Sequence, residues 1–118
     1  MGLDCSHDAF HGAYSAFNRL RQEIARAIGG SYSPHNDPSL DYDLWYWGDG
    51  YNKKSHPGLH EFFCHSDCDG EIAPEMCILV ADELEAILPN ISSNRQSVQN
   101  FIDGCRRAAA ANEPLLFR

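Results

Sequence analysis

No stretch of the 118-residue chain is long and apolar enough to cross a bilayer, a task that takes about 20 consecutive apolar residues. A membrane-spanning role is therefore not expected. The first residues, Met-Gly-Leu-Asp-Cys-Ser-His, lack the basic and apolar regions that export requires, so the expected location is a reducing cytoplasm. Gly2 and Ser6 fit the loose N-myristoylation pattern, but Asp4 and the lack of a basic cluster downstream speak against it. Paired cysteines are lacking too. Cys5, Cys64, Cys68, Cys77 and Cys105 are odd in number and scattered, which argues against a disulfide framework and predicts free thiols, some of them buried. Internal repeats and low-complexity tracts are absent.

Positive charge is also scarce. Nine Lys and Arg face 17 Asp and Glu, a net charge of −8. The imbalance is concentrated in residues 31–91, where twelve acids stand against Lys53 and Lys54, while the two ends together carry five acids and seven bases. So anionic a middle disfavours direct contact with nucleic acid, which needs cations opposite its phosphates, and favours cations or basic protein surfaces. The arginines of the first and last helices are the remaining anion-binding groups.

What is present describes one globular domain over residues 1–118, with 43% hydrophobic and 11% aromatic residues to build a core. Phe10, Ala13, Phe17, Leu20, Ile24 and Ile28 recur at helical spacing and predict a helix over 8–28, capped by Ser6 or Asp8 and stopped by Gly29-Gly30. His7 and His11, four apart near that start, have the spacing of two imidazoles facing one metal, although polar residues at a helix end explain them more simply. Residues 31–40 read as a loop. Leu59–His65 forms a brief helix or a strand, and Phe62 and Phe63 are expected to be at least partly buried in either case. Pro74 suits the first turn of a second helix, Met76–Leu88, whose apolar stripe is Met76, Val80, Leu84, Ile87 and Leu88 and whose Glu75, Asp82, Glu83 and Glu85 face water. A third helix, capped by Ser92 or Ser93, runs to about Ala111 with Val98, Phe101, Ile102 and Cys105 inside and Arg95, Arg106 and Arg107 outside. Leu115-Leu116-Phe117 is too hydrophobic to dangle and is expected to dock as a short strand beside the aromatic one. The expected class is α+β, three helices packed on a small antiparallel sheet.

Two segments carry the candidate chemistry. Residues 41–51 hold both tryptophans and alternate as a short strand with an aromatic face. These rings either finish the core or form a stacking platform for a planar ligand or a partner protein. The second segment is the turn from His65 to Ile72. Asp67, Asp69, Gly70 and Ile72 match positions of a calcium loop, but His65 and Met76 stand where its strongest carboxylate ligands belong. Cys64, His65 and Cys68, with Asp67 and one of Cys5, His7 or His60, offer ligands for a zinc-type ion, and Glu61 or Glu71 would then be a general base for a metal-dependent enzyme. The simplest reading is structural: Asp67 and Asp69 accept backbone N–H groups and Gly70 supplies a positive φ.

Gly2–His7 (Gly-Leu-Asp-Cys-Ser-His), Tyr14–Phe17 (Tyr-Ser-Ala-Phe), Leu44–Gly50 (Leu-Trp-Tyr-Trp-Gly-Asp-Gly) and His65–Ile72 (His-Ser-Asp-Cys-Asp-Gly-Glu-Ile) together resemble a family of small phage and bacterial proteins with no established activity. The resemblance transfers no catalytic residue. What it implies is context, since small phage proteins often bind and neutralise a host component, a protein or a nucleotide signal. The expectation is a non-catalytic binding protein, without a required cofactor, whose site is Trp45, Trp47 and Tyr51 with His65, Asp67 and Asp69 of the turn. Its ligand is a small molecule or a host protein. In one form an oligomer sequesters a nucleotide-like host signal, with Arg19, Arg26, Arg106 or Arg107 on its phosphates. In the other the acidic chain docks on a basic host protein, for example a defence component.

Overall fold

A computed structural model describes residues 2–28, 55–64 and 70–118. Within them the chain is α+β, with four helices and two small antiparallel sheets, one helix more than the periodicity predicts. The N-terminal residues alternate, Leu3 and Cys5 inward and Asp4 outward, and form strand β1, Gly2–Asp4, paired with β2, His11–Ala13, in the register Leu3↔Gly12. Helix α1, Tyr14–Ala27, therefore starts six residues later than its periodicity suggests. The reason lies in the 3-10 turn Ser6–Asp8. His7 and Asp8 hold φ of 59° and 57°, a left-handed pair that no α-helix accommodates. Neither Ser6 nor Asp8 caps α1, whose N-cap is Ala13 without a side-chain bond.

Helix α2, Pro57–Cys64, settles the ambiguous segment as helical and buries Phe62 and Phe63. Strand β3, Glu71–Ile72, leads through Ala73 into helix α3, Pro74–Ile87, with proline in the first turn as expected, and a 3-10 turn Leu88–Asn90 ends it. Its buried stripe is Cys77, Val80, Ala81, Leu84 and Ile87, while Met76 and Leu88 are only partly covered. Helix α4, Arg95–Ala110, buries the residues expected of it, but its N-cap is Asn94 at φ 60°, with no side-chain cap, rather than Ser92 or Ser93. The tail docks as strand β4, Leu115–Leu116, antiparallel to β3 in the register Ile72↔Leu115, and Phe117 continues the pairing to Cys5. The aromatic segment expected beside it lies outside the described residues.

The core is organised by Phe17 of α1, which is fully buried. Its ring meets Phe10, Phe62, Phe117 and Phe101 at centroid distances of 5.0, 5.7, 5.9 and 6.0 Å, mostly edge-on. One ring thus joins α1, α2, α4 and the C-terminal tail. Two helix approaches are too close for a side chain. A Cβ on Gly58 would lie 2.6 Å from the Leu79 carbonyl carbon of α3, and one on Gly104 of α4 would lie 2.5 Å from the Ala9 Cα. Among the described residues, no helix is long and apolar enough to cross a membrane.

Candidate functional site

Trp45, Trp47, Tyr51, His65, Asp67, Cys68 and Asp69 lie outside the described residues, and Cys64 is described only as the last residue of α2. Gly70, which closes the turn, has φ 94°, the left-handed backbone expected of it. The remaining candidates can be placed. Arg19 and Arg26 are exposed on α1, and Arg26 pairs with Glu23 of its own helix at 3.3 Å. Arg106 of α4 pairs with Glu85 and, at 3.5 Å, with Asp82, both on α3. The Glu85 carboxylate beside it raises the Arg106 pKa further. Arg107 donates through Nε to the His7 carbonyl oxygen at 3.0 Å. Three of the four arginines proposed for phosphates are thus engaged within the protein.

The histidines are not paired on a helix face. Ser6 Oγ accepts the Leu116 N–H at 2.8 Å and lies 2.9 Å from His7 Nδ1, to which its hydroxyl proton is then directed. That leaves Nε2 to donate to Glu113 at 3.0 Å. His7 therefore clasps the C-terminal segment. His11 bonds Asp8 through Nε2 at 3.2 Å and Asp4 through Nδ1, and these two carboxylates raise its pKa. Opposite ring nitrogens serve the two acids, so the three side chains do not converge on a point. Among the described residues, no group of three or more His, Cys, Asp and Glu is placed to hold a metal. Cys5, Cys77 and Cys105 are all buried. Burial and neighbouring Asp4 push the Cys5 thiol up to about 12, against a small opposing pull from Arg21, and the hydrogen bond with Cys77 and burial likewise hold the proton on Cys105. Cys5 and Cys105 are thus packing groups rather than nucleophiles, while the hydrogen bond with Cys105 lowers the pKa of the equally buried Cys77.

The surface of α3 is a different matter. Ile78 and Leu79 are 50% and 38% exposed, the large apolar side chains left in water among the described residues. Glu75 lies a turn before them and Asp82 a turn after, both exposed. At the N-terminal end of the same helix an open groove of about 460 Å³ is lined by Glu61, Glu71, Ala73, Pro74, Met76 and Pro114. Glu83, expected in water, is half-buried instead, because its carboxylate accepts backbone N–H groups at the start of α2. Arg21, for which no side of α1 was expected, is buried as well. It is only 2% exposed, with its guanidinium 4.5 Å above the Phe17 ring. Its position four after Phe17 and four before Ala25 puts it on the buried face, a signal present in the sequence. For Ile78 and Leu79 the signal was the run Cys77-Ile78-Leu79-Val80, since four successive apolar residues of a helix cannot all face one side.

Comparison of the chain with protein-family models, curated proteins and solved structures gave no match in any of the three.

Proposed function

We propose that the chain is a non-catalytic binding protein that acts by docking on a basic partner protein, in the setting its resemblance implies, where a phage or bacterial protein blocks a host component in the cytoplasm. The observation that carries this reading is the disposition of charge. Arg26 and Arg106 are paired with carboxylates of the chain and Arg107 donates to a backbone carbonyl, while the net charge is −8. A surface of that kind attracts a cationic protein over several ångströms of solvent and repels phosphates. Sequestration of a nucleotide-like signal draws on the same three arginines and on Arg19, and at the three a phosphate would compete with a contact inside the protein.

Capture from host-cell extract tests the reading. The purified protein is incubated with extract, washed at low and then at high salt, and denatured, and the released proteins and small molecules are identified by mass spectrometry. A basic protein retained at low salt, released at high salt and bound again when both partners are purified is the expected result. A nucleotide released only on denaturation, or stoichiometric zinc or calcium in the purified protein, would overturn it in favour of the sponge or the metal-site reading.

A further inference from the structure

Resting on that docking reading, we infer that the outer face of α3 is the contact surface and that its partner presents a basic amphipathic helix. Ile78 and Leu79 are adjacent in sequence and about 100° apart around the helix, so together they form one apolar ridge. Their exposure is not needed for folding, because α3 already buries Cys77, Val80, Ala81, Leu84 and Ile87 on its other side. Covering the ridge with apolar side chains would remove it from water, the term that favours association. Glu75 and Asp82 flank the ridge at both ends and Glu85 lies beyond; Asp82 and Glu85 share Arg106 of α4, whereas Glu75 is an exposed carboxylate at the other end.

The flanks decide the kind of partner. Leucine or isoleucine anchors on an incoming helix would seat against Ile78 and Leu79, and lysines or arginines one turn either side would meet Glu75 and Asp82. A second copy of this chain is a poor occupant, since facing two such ridges would set carboxylates against carboxylates. An acidic partner is excluded on the same ground. The net charge of −8 favours and speeds the encounter with a cationic helix.

The probe is a fluorescent amphipathic helix built of leucine and lysine, with two controls: a lysine and glutamine helix of equal charge and no apolar face, and a leucine and glutamate helix. Anisotropy titrations are run on the wild type, the double variant Ile78→Ser/Leu79→Ser, the double variant Glu75→Gln/Asp82→Asn, and Glu23→Gln on α1. The leucine and lysine helix should bind in a salt-weakened manner, and each α3 double variant should lose about tenfold or more in affinity. Glu23→Gln should change it little. Equal binding of the glutamine control, or an equal loss with Glu23→Gln, would show diffuse charge attraction and overturn the surface. A dimer by sedimentation that the Ile78/Leu79 variant dissolves would overturn it in favour of self-association. Should the serine variant unfold, the Gln/Asn pair decides alone, because its side chains are exposed and shape-conserving. The two levels fail separately. A basic protein captured from extract and still held by both α3 variants removes the surface but leaves the docking reading, whereas a captured nucleotide removes both.

Discussion

The carboxylate of Glu83 reaches from α3 to the first turn of α2, where Oε2 accepts the Gly58 N–H and Oε1 the Leu59 N–H, each at 3.0 Å. The start of a helix leaves such N–H groups without partners in their own helix, and a bidentate carboxylate from a neighbouring element satisfies two at once. The same approach explains Gly58, since only a residue without Cβ allows α2 to lie this close to Leu79. Replacing Glu83 with alanine should lower the unfolding free energy by about 1–3 kcal/mol, because a part-buried charge-assisted pair is lost. Denaturant titration followed by circular dichroism measures this, and Glu83→Gln, which keeps one acceptor, should fall between.

Gly104 makes the complementary case on α4. Alanine favours an exposed helix over glycine by about 1 kcal/mol. Here its Cβ would stand 2.4 Å from that of Ala9, so Gly104→Ala should destabilise instead, by about 1–3 kcal/mol as in other overpacked sites. A higher melting temperature for this variant would refute the close contact between α4 and the N-terminal turn.

Phe17 and Ile78 predict opposite outcomes. Phe17→Ala removes the ring shared by four other phenylalanines and should cost about 3–5 kcal/mol. Ile78→Ser touches a half-exposed side chain and should change stability by less than about 0.5 kcal/mol. Paired thermal melts of the two variants check both.

His11 supplies a pH dependence with a definite sign. Its bonds to Asp8 and Asp4 raise its pKa in the folded state above the ordinary 6.5, so folding favours the protonated ring. The stabilisation is complete below the ordinary value and is lost as pH rises through the raised one. His11→Gln should abolish this part of the slope of stability against pH. An NMR titration of the ring gives the folded value directly, and a midpoint at or below 6.5 would contradict the pairing. The effect is small, because the ring is exposed and screened by solvent.

Cys5, Cys77 and Cys105 should resist iodoacetamide in the native protein and react on denaturation. All three are no more than 1% exposed, and burial holds the proton on Cys5 as the hydrogen bond with Cys77 and burial hold it on Cys105. Peptide mapping after alkylation in the presence and absence of denaturant distinguishes them one by one. Native labelling of Cys105 would show that α3 and α4 separate in solution.

Much of this architecture was legible because it depends on local periodicity. The buried face of α4, the first-turn proline of α3, the burial of Phe62 and Phe63 and the docking of Leu115–Phe117 all follow from the order of apolar and polar residues. The start of α1 was not legible. Phe10 and Ala13 fit its helical spacing, yet the left-handed backbone at His7 and Asp8 and the pairing of Leu3 with Gly12 draw that segment into a hairpin. The candidate site divides in the same way. Its rings and turn are a matter of composition, whereas the engagement of Arg106 by Glu85 and the exposure of Ile78 arise only when α3 and α4 are set side by side.

The order of residues by itself determined the class of fold, the helical faces and the strongly anionic character, since these require only neighbours along the chain and a count of charges. Tertiary packing decided which charges are spent and which apolar groups are left over. Arg21 lies over a phenylalanine ring, Glu83 holds the start of another helix, and Ile78 and Leu79 stay in water. The physical reason is that a helix can turn one side inward, and which side that is depends on the elements it packs against.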